Sequence, residues 1–516
     1  MNNNMQFEGQ GALPLYLNRL QGAALDPAAV AFYAGLDHIR LTSPTVAESI
    51  VREFHDQRRN LKLIASENFS SLAVQMAQGT LLTDKYAEGF AHHRFYAGCD
   101  NVDNIEAEAS QLACELFGAE HAYVQPHSGS DANLAAYIAI LSQRIQEPLV
   151  KELGEDENLS KVSAEGWLKI RQAFHGQKML ALDYYSGGHL THGYRFNYSS
   201  LLFDSYTYSV SPKTYRIEMD DLRKQLHEIK PLILLAGYSA YPRKINFAKM
   251  RELADEVGAV FMVDMAHFAG LVAGKVFTGD YDPIPFAHVV TSTTHKTLRG
   301  PRGGIVLCKK EYADWVDKGC PSFMGGPLSH VMAAKAVAFR EALKPEFQAY
   351  AHKIVENCQA LAEECMKESM KVVTDGTDNH LMLLDVAESF GLTGRQAESA
   401  LRECNITLNR NAIPFDPNGP WYTSGLRLGT AAPTTLGMGT EEMKEIARIV
   451  KTVLKDTKAE VVAKGKNKGQ VSKGKYEIPA AVMTQAQNRI QALLAKFPLY
   501  GNLDLGLLKE AGFLTE

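Results

Sequence analysis

From about residue 120 to 310, short apolar runs alternate with helical stretches. Ala122-Tyr123-Val124 reads as a strand, followed by a Ser/Gly turn and an alanine-rich helix from Asn133 to Leu141. Leu232–Ala236, Ala259–Val263, His288–Thr291 and Gly304–Cys308 read as further strands, and Lys249–Val257 as a helix closed by Gly258. Strands that are apolar throughout, without alternation, are buried on both faces. Their alternation with helices predicts a mainly parallel sheet covered on both sides. Such a sheet holds its ligand at the carboxyl ends of its strands.

The flanks differ. Residues 1 to about 45 read as an arm, with Pro14, Pro27 and Pro44 punctuating short apolar pieces. Val46, Ile50, Val51 and Phe54 recur at helical spacing and predict a helix from Pro44 or Thr45, and Leu61–Ala65 reads as a strand. Residues 142–178 interrupt the α/β pattern. There an acid-rich stretch from Glu152 to Ser160 precedes a short amphipathic helix marked by Trp167, Ile170 and Phe174, and the segment reads as an insertion. Past Pro345, helices over about 346–369 and 440–455 flank strands at Leu381–Leu384 and Ile406–Leu408, an α+β pattern. Lys464 to Lys475 holds five lysines, three glycines and no acid, which reads as a flexible basic linker before a last helix from about Ala480 to Lys496. The expected division is an arm and helix over 1–60, a large domain over 61–344 and a smaller domain over 345–516.

Composition narrows the class. The chain has 516 residues, 46% hydrophobic and 22% charged, enough for a large core. Its 59 acids against 54 Lys and Arg give a net charge of −5, which argues against nucleic-acid binding. No apolar run approaches the ~20 residues of a membrane helix. Met1–Gln10, charged only at Glu8, has neither part of a secretory signal. Seven scattered cysteines without a CxxC pair indicate neither a zinc knuckle nor a disulfide framework, and a reducing cytoplasm is the expected compartment.

The richest chemistry lies in Thr291-Ser292-Thr293-Thr294-His295-Lys296-Thr297, running on through a Gly/Pro turn to Gly304. Most lysines are solvated. Lys296, however, falls just past a buried strand, where an α/β sheet places its ligand. A lysine withdrawn from water sheds its proton more readily and can attack an aldehyde. Asp264, the first polar residue after Phe261-Met262-Val263, is either a helix N-cap or a carboxylate at the strand mouth. Pyridoxal phosphate (PLP) needs that pair: a lysine for its aldehyde, and an acid that keeps its pyridine nitrogen protonated. His127-Ser128-Gly129-Ser130 at a helix start offers N–H groups to a phosphate, although the same turn begins many ordinary helices. Gly187-Gly188-His189 sets an imidazole in a loop able to approach a planar ring. His189 and His192 together also suggest a metal, but no nearby acid or cysteine completes the set, so no metal site is expected. Arg427 is either a surface arginine or a planar fork for a substrate carboxylate.

Taken in order, Leu63-Ile64-Ala65-Ser66-Glu67-Asn68, Lys85-Tyr86-Ala87-Glu88-Gly89, His127-Ser128-Gly129-Ser130, Gly188-His189-Leu190-Thr191-His192-Gly193, Val263-Asp264-Met265-Ala266-His267, Thr293-Thr294-His295-Lys296-Thr297 and Ser424-Gly425-Leu426-Arg427 resemble serine hydroxymethyltransferase of the chlamydial type, over about residues 45–455. The resemblance implies an α/β protein of PLP-dependent transferase fold type I (aspartate-aminotransferase-like), with a mainly parallel large domain and a smaller α+β C-terminal domain. It implies reversible conversion of L-serine and tetrahydrofolate to glycine and 5,10-methylenetetrahydrofolate. Lys296 would carry PLP, Asp264 face its pyridine nitrogen and His189 stack on its ring. Ser128, Gly129 and Ser130 would grip the phosphate, Ser239 and His267 lie near the phenol oxygen, and Thr293 support the lysine. Arg427 with Ser66 would hold the substrate carboxylate. The family's homodimers share their sites, so Tyr86, Glu88, Tyr96, Gly325 and Gly326 would come from the partner, with Glu88 moving protons. Gly188, Leu190 and Asn411 match positions that contact folate. Phe95, Ala97, Tyr184-Tyr185-Ser186, Pro321-Ser322-Phe323-Met324 and Arg299 depart from the family's usual residues. The same PLP chemistry also suits a folate-independent aldolase or an alanine racemase, the latter with Lys296 and a tyrosine such as Tyr96 on opposite faces of Cα. A binding protein that has lost catalysis, its Lys464–Lys475 segment touching RNA or acidic partners, is countered by the intact lysine, aspartate and arginine set.

Overall fold

The computed structural model describes residues 11–156, 158–464 and 468–514, so the reading of Met1–Gln10 lies outside the described residues. The arm proves helical, as α1 (Ala12–Leu20), α2 (Pro27–Thr42) and α3 (Pro44–Arg59). Its prolines start helices and do not interrupt them. Pro27 and Pro44 take first-turn positions, where the missing N–H has no helical partner to lose. The Asp26 carboxylate caps α2 by accepting from Ala28 N (2.9 Å). The face that α3 buries is Ala47, Val51 and Phe54, whereas Val46 and Ile50 stay exposed. These helices share a core with the end of the chain: Leu15, Tyr33, Leu36 and Phe54 cluster with Leu503, Leu507, Leu508 and Phe513. Leu61–Ala65 is a strand only over Leu61–Lys62, which pairs in parallel with Ile406–Thr407.

Next come α4 (Asp100–Phe117), β1 (His121–Tyr123) and α5 (Gly129–Leu141). Helix α5 begins four residues before Asn133, because the Ser128 hydroxyl caps it by accepting from Asp131 N (3.1 Å). It runs through a π-helical turn, Ser142–Gln146, into a helix over Glu147–Glu152. The following α6 (Ala164–Phe174) folds back, and Val150, Val162 and Ile170 form a small core of their own. The sheet is completed by β2 (Lys178–Leu182), β3 (Asp204–Tyr208), β4 (Ile233–Gly237), β5 (Val260–Asp264), β6 (Val289–Thr293) and β7 (Gly304–Cys308). Between them, α7 (Met219–Ile229) and α8 (Phe247–Glu256) cross over.

The spatial order is β1-β7-β6-β5-β4-β2-β3. Only β7 runs against the others. Every residue of β4 to β7 is buried, as unbroken apolar runs require. The apolar-run pattern misses β2 and β3. The first starts on the last residue assigned to the insertion, and the second is a polar edge strand, Asp-Ser-Tyr-Thr-Tyr.

After α9 (Ser329–Ala342), α10 (Pro345–Lys367) spans two cores, with Phe347 and Ile354 in that of the large sheet and Leu361 and Cys365 in the next. That second unit holds β8 (Lys371–Val372), β9 (Leu381–Asp385), α11 (Gly394–Glu403), β10 (Asn409–Asn411), β11 (Gly425–Gly429) and α12 (Thr440–Asp456), its antiparallel sheet ordered β8-β9-β11-β10. The flexible-linker reading of Lys464–Lys475 is corrected in its described part. There β12 (Lys458–Val461) and β13 (Val471–Glu477) form an antiparallel hairpin, with 465–467 outside the described residues. Gln396 of α11, 1% exposed, donates from Nε2 to Ser472 O (2.7 Å) and Lys475 O (2.8 Å). The chain closes with α13 (Ala480–Leu494) and α14 (Leu505–Glu510). Among the described residues, no helix is long and apolar enough to cross a membrane.

Candidate active site

Register sets Gly237 and Asp264, the last residues of β4 and β5, side by side with Thr291 in the middle of β6. A Cβ on Gly237, at φ +126°, would lie 2.1 Å from Asp264 O, so glycine lets these strand ends close together. A cavity of about 560 Å³ opens over this edge, within the size range of small-molecule sites. Fourteen of the residues singled out in the sequence line it: Ser66, Ser128, Gly129, Ser130, Gly188, His189, Leu190, Ser239, Asp264, His267, Thr293, Lys296, Asn411 and Arg427. Asn411 and Arg427 come from β10 and β11, so both units wall the cavity.

Asp264 is held by three donors. Asn133 Nδ2 (2.9 Å) and His192 Nε2 (3.1 Å) reach Oδ2, and Ala266 N (3.0 Å) reaches Oδ1. Burial by itself raises this carboxyl. The His192 hydrogen bond and charge, with Asn133, outweigh burial and hold it well below the usual carboxylate range. The expectation that no acid stands near the histidine pair is thereby corrected. His189, His192 and Asp264 bring ligand atoms within 4.8 Å, the one such group among the described residues. Their nitrogens are engaged in an orderly way. His189 Nδ1 accepts from Thr191 N (3.2 Å), and His192 Nδ1 accepts from His189 N (3.3 Å). His192 Nε2 donates toward Asp264. Burial, then the charge of His192, pulls His189 down to about 4, so its ring is neutral.

Lys296 lies three residues past β6, is 9% exposed, and its amine has no hydrogen bond or ion pair among the described residues. Burial pulls it down to about 8, against the opposing charge of Asp264. The residue is anchored through its backbone, since Asn68 Nδ2 donates to Lys296 O (2.9 Å). Arg427, lowered to about 10 by burial, remains protonated at neutral pH. It donates through Nε to Asn409 Oδ1 (3.1 Å) and through one terminal nitrogen to Ser239 O (2.6 Å). The other terminal nitrogen has no protein partner among the described residues.

At the start of α5, Gly129 N and Ser130 N likewise have no acceptor among the described residues, while Asp131 N and Ala132 N are satisfied by Ser128. Two free N–H groups at a helix N-terminus, an unpartnered amine, an ionised buried acid and a free guanidinium edge around one cavity fit PLP and an amino acid.

Five expected residues are not brought into this cavity. Tyr86 and Tyr96 meet edge-on at 4.9 Å, about half exposed, and a Cβ on Gly326 would touch the Tyr86 ring. With Glu88 and Gly325 they lie apart from the cavity lining of their own chain. Sequence reasoning also passed over lining residues His295 and Arg302, although both stand in the Lys296 segment. It missed His380, whose Nε2 meets His267 Nδ1 at 3.2 Å in a buried stacked pair. No local pattern links residues 113 positions apart.

A family model described as serine hydroxymethyltransferase matches residues 39–163 and 165–450. The serine hydroxymethyltransferase of Treponema pallidum (strain Nichols) is 56% identical over 498 residues, 96% of this chain and 86% of that protein. That of Cutibacterium acnes is 54% identical over 477 residues, 92% of this chain and 96% of that protein. That of Chlamydia trachomatis serovar L2 (strain ATCC VR-902B) is 49% identical over 482 residues, 93% of this chain and 96% of that protein.

Proposed function

The chain belongs to the serine hydroxymethyltransferase family, and from that premise we propose how its own side chains divide the work. It is a transferase that interconverts L-serine plus tetrahydrofolate with glycine plus 5,10-methylenetetrahydrofolate, using PLP. When bound, PLP supplies an electron-withdrawing pyridinium ring that stabilises charge developing at the amino acid's Cα.

Lys296, whose partly neutral amine has no protein partner among the described residues, is the residue that would hold the cofactor's aldehyde carbon. Asp264 keeps the pyridine nitrogen protonated, because a carboxylate fed by three donors stays ionised while it faces a cation. His189, neutral and fixed by Thr191, packs on the ring. Ser128, Gly129 and Ser130 take the phosphate. Ser239 and His267 flank the phenol oxygen, and Thr293 supports the lysine. Arg427, already oriented by Asn409 and Ser239, offers its free edge to the substrate carboxylate, with Ser66 beside it. Fixing that carboxylate decides which bond at Cα stands perpendicular to the ring. Gly188, Leu190 and Asn411 form the folate side.

The protein works as a homodimer in the cytoplasm. Glu88, with Tyr86, Tyr96, Gly325 and Gly326, completes the site of the neighbouring subunit, and Glu88 moves the proton of the substrate hydroxyl. The placement of these five outside their own chain's cavity supports this sharing, and seven unpaired cysteines support a reducing compartment.

One observation carries the assignment: Asp264, Lys296 and Arg427 converge on one cavity from two different units of the fold. The test is an absorbance spectrum of the purified protein, followed by serine turnover with and without tetrahydrofolate. A lysine-bound PLP band, absent in Lys296→Ala, and turnover that depends on folate are expected. A band that survives in Lys296→Ala would refute the lysine's role, and dominant folate-independent turnover would favour the aldolase reading.

A further inference from the structure

Lys335 of α9 is 1% exposed, and among the described residues no carboxylate touches it. Its Nζ donates to Val124 O (2.6 Å), Pro126 O (3.0 Å) and Gly304 O (2.8 Å). Three acceptors match the three hydrogens of an ammonium, whereas a neutral amine would leave one carbonyl facing a lone pair. Burial pulls this amine down to about 7, and Glu106 and Asp131 oppose the fall from a distance. Glu106 is itself bridged to Arg94, so it offers no free charge. A buried cation without a paired acid is costly unless something else neutralises it.

The segments that Lys335 ties together are those behind the Ser128–Ser130 turn. Pro126 leads directly into that turn, and Gly304 N donates to the same Pro126 O (2.8 Å). A Cβ on Gly304 would lie 2.2 Å from Ser128 O, and one on Gly303 would lie 2.6 Å from Lys335 Cε. The ammonium thus grips Pro126 and the start of β7, and Gly304 in turn packs against the turn at Ser128.

We propose that Lys335 is a positioning residue for the PLP phosphate: it pins the carbonyls that set the Ser128–Ser130 turn, and its unpaired charge is complemented when the phosphate dianion binds. The role rests on that turn receiving the phosphate. It is tested by titrating full-length apoprotein with PLP and with pyridoxal, the same ring without phosphate, and reading absorbance. Wild type should prefer PLP, and no preference would overturn both the turn's role and that of Lys335. In Lys335→Met, PLP affinity should fall by about 10-fold or more while pyridoxal affinity changes less than about 2-fold, because only the ligand that carries a phosphate uses the turn and the nearby positive charge. Equal losses for both ligands would make Lys335 merely structural, and an unchanged preference would likewise overturn the proposal. Gly303→Ala, which crowds the ammonium but keeps it, decides the matter should Lys335→Met fail to fold. A reduced preference for PLP is expected, and the wild-type preference would overturn it.

Discussion

In its proposed role Lys296 meets the cofactor as a nucleophile, and its protonation state then sets how fast PLP is captured. Burial holds the amine near 8, against an ordinary 10.5. The reactive form is the neutral one, which grows as pH rises through that value. The rate of PLP capture by apoprotein, followed by stopped-flow absorbance, should climb with pH to a midpoint near 8 and then level off. A midpoint near 10.5 would mean that the amine is solvated. At Arg427, lysine would keep the charge and lose the fork. Arg427→Lys should cost about 2–3 kcal/mol, roughly 30- to 150-fold in serine kcat/KM, with PLP affinity unchanged. Loss of PLP binding in that variant would contradict a substrate role. Lys296, Asp264 and Arg427 were legible because each breaks a local apolar pattern at a strand end or within a strand. His380 and Lys335 were not. The first acts across 113 residues, and the second sits inside a helical run where a lysine ordinarily marks the solvated face.

The buried strands β4 to β7 could be read directly because nothing but a doubly covered sheet suits such unbroken apolar runs. Edge strand β3 could not, since a polar sequence at the rim resembles a loop. Proline misled at α2, where Pro27 sits at the one place a helix accepts it, whereas the helix from Pro44 was legible from its apolar spacing. The β12–β13 hairpin was hidden by its lysines, which stay toward solvent while backbone carbonyls make the contacts. Gln396 is the anchor. It donates twice to the hairpin, and its Oε1 accepts from Thr393 N (2.9 Å) at the start of α11. Gln396→Ala should lower stability by about 1–3 kcal/mol in chemical denaturation. Hydrogen exchange should quicken over Val471–Glu477 and stay unchanged in β4 to β6. Unchanged exchange in the hairpin would show that other contacts hold it.

The proposed sharing of sites between subunits makes a prediction about mixtures. Lys296→Ala and Glu88→Gln should each be inactive alone. In a hybrid pair, one site is doubly defective and the other combines an intact Lys296 with an intact Glu88. Half of the pairs in an equal mixture are hybrids with one sound site of two, so about a quarter of wild-type activity should return after mixed refolding. No recovery would place Glu88 in its own chain's site. The Tyr86 cluster could be recognised only by resemblance, because these residues lie outside the cavity of their own chain and no local pattern marks them. The shared core of α1–α3 with Leu503, Leu507, Leu508 and Phe513 has a consequence of another kind. Helices α1 to α3 must wait, half-finished, while more than 400 further residues are translated before residues 503–513 arrive to cover them. The order in which these segments are made is therefore not the order in which they settle.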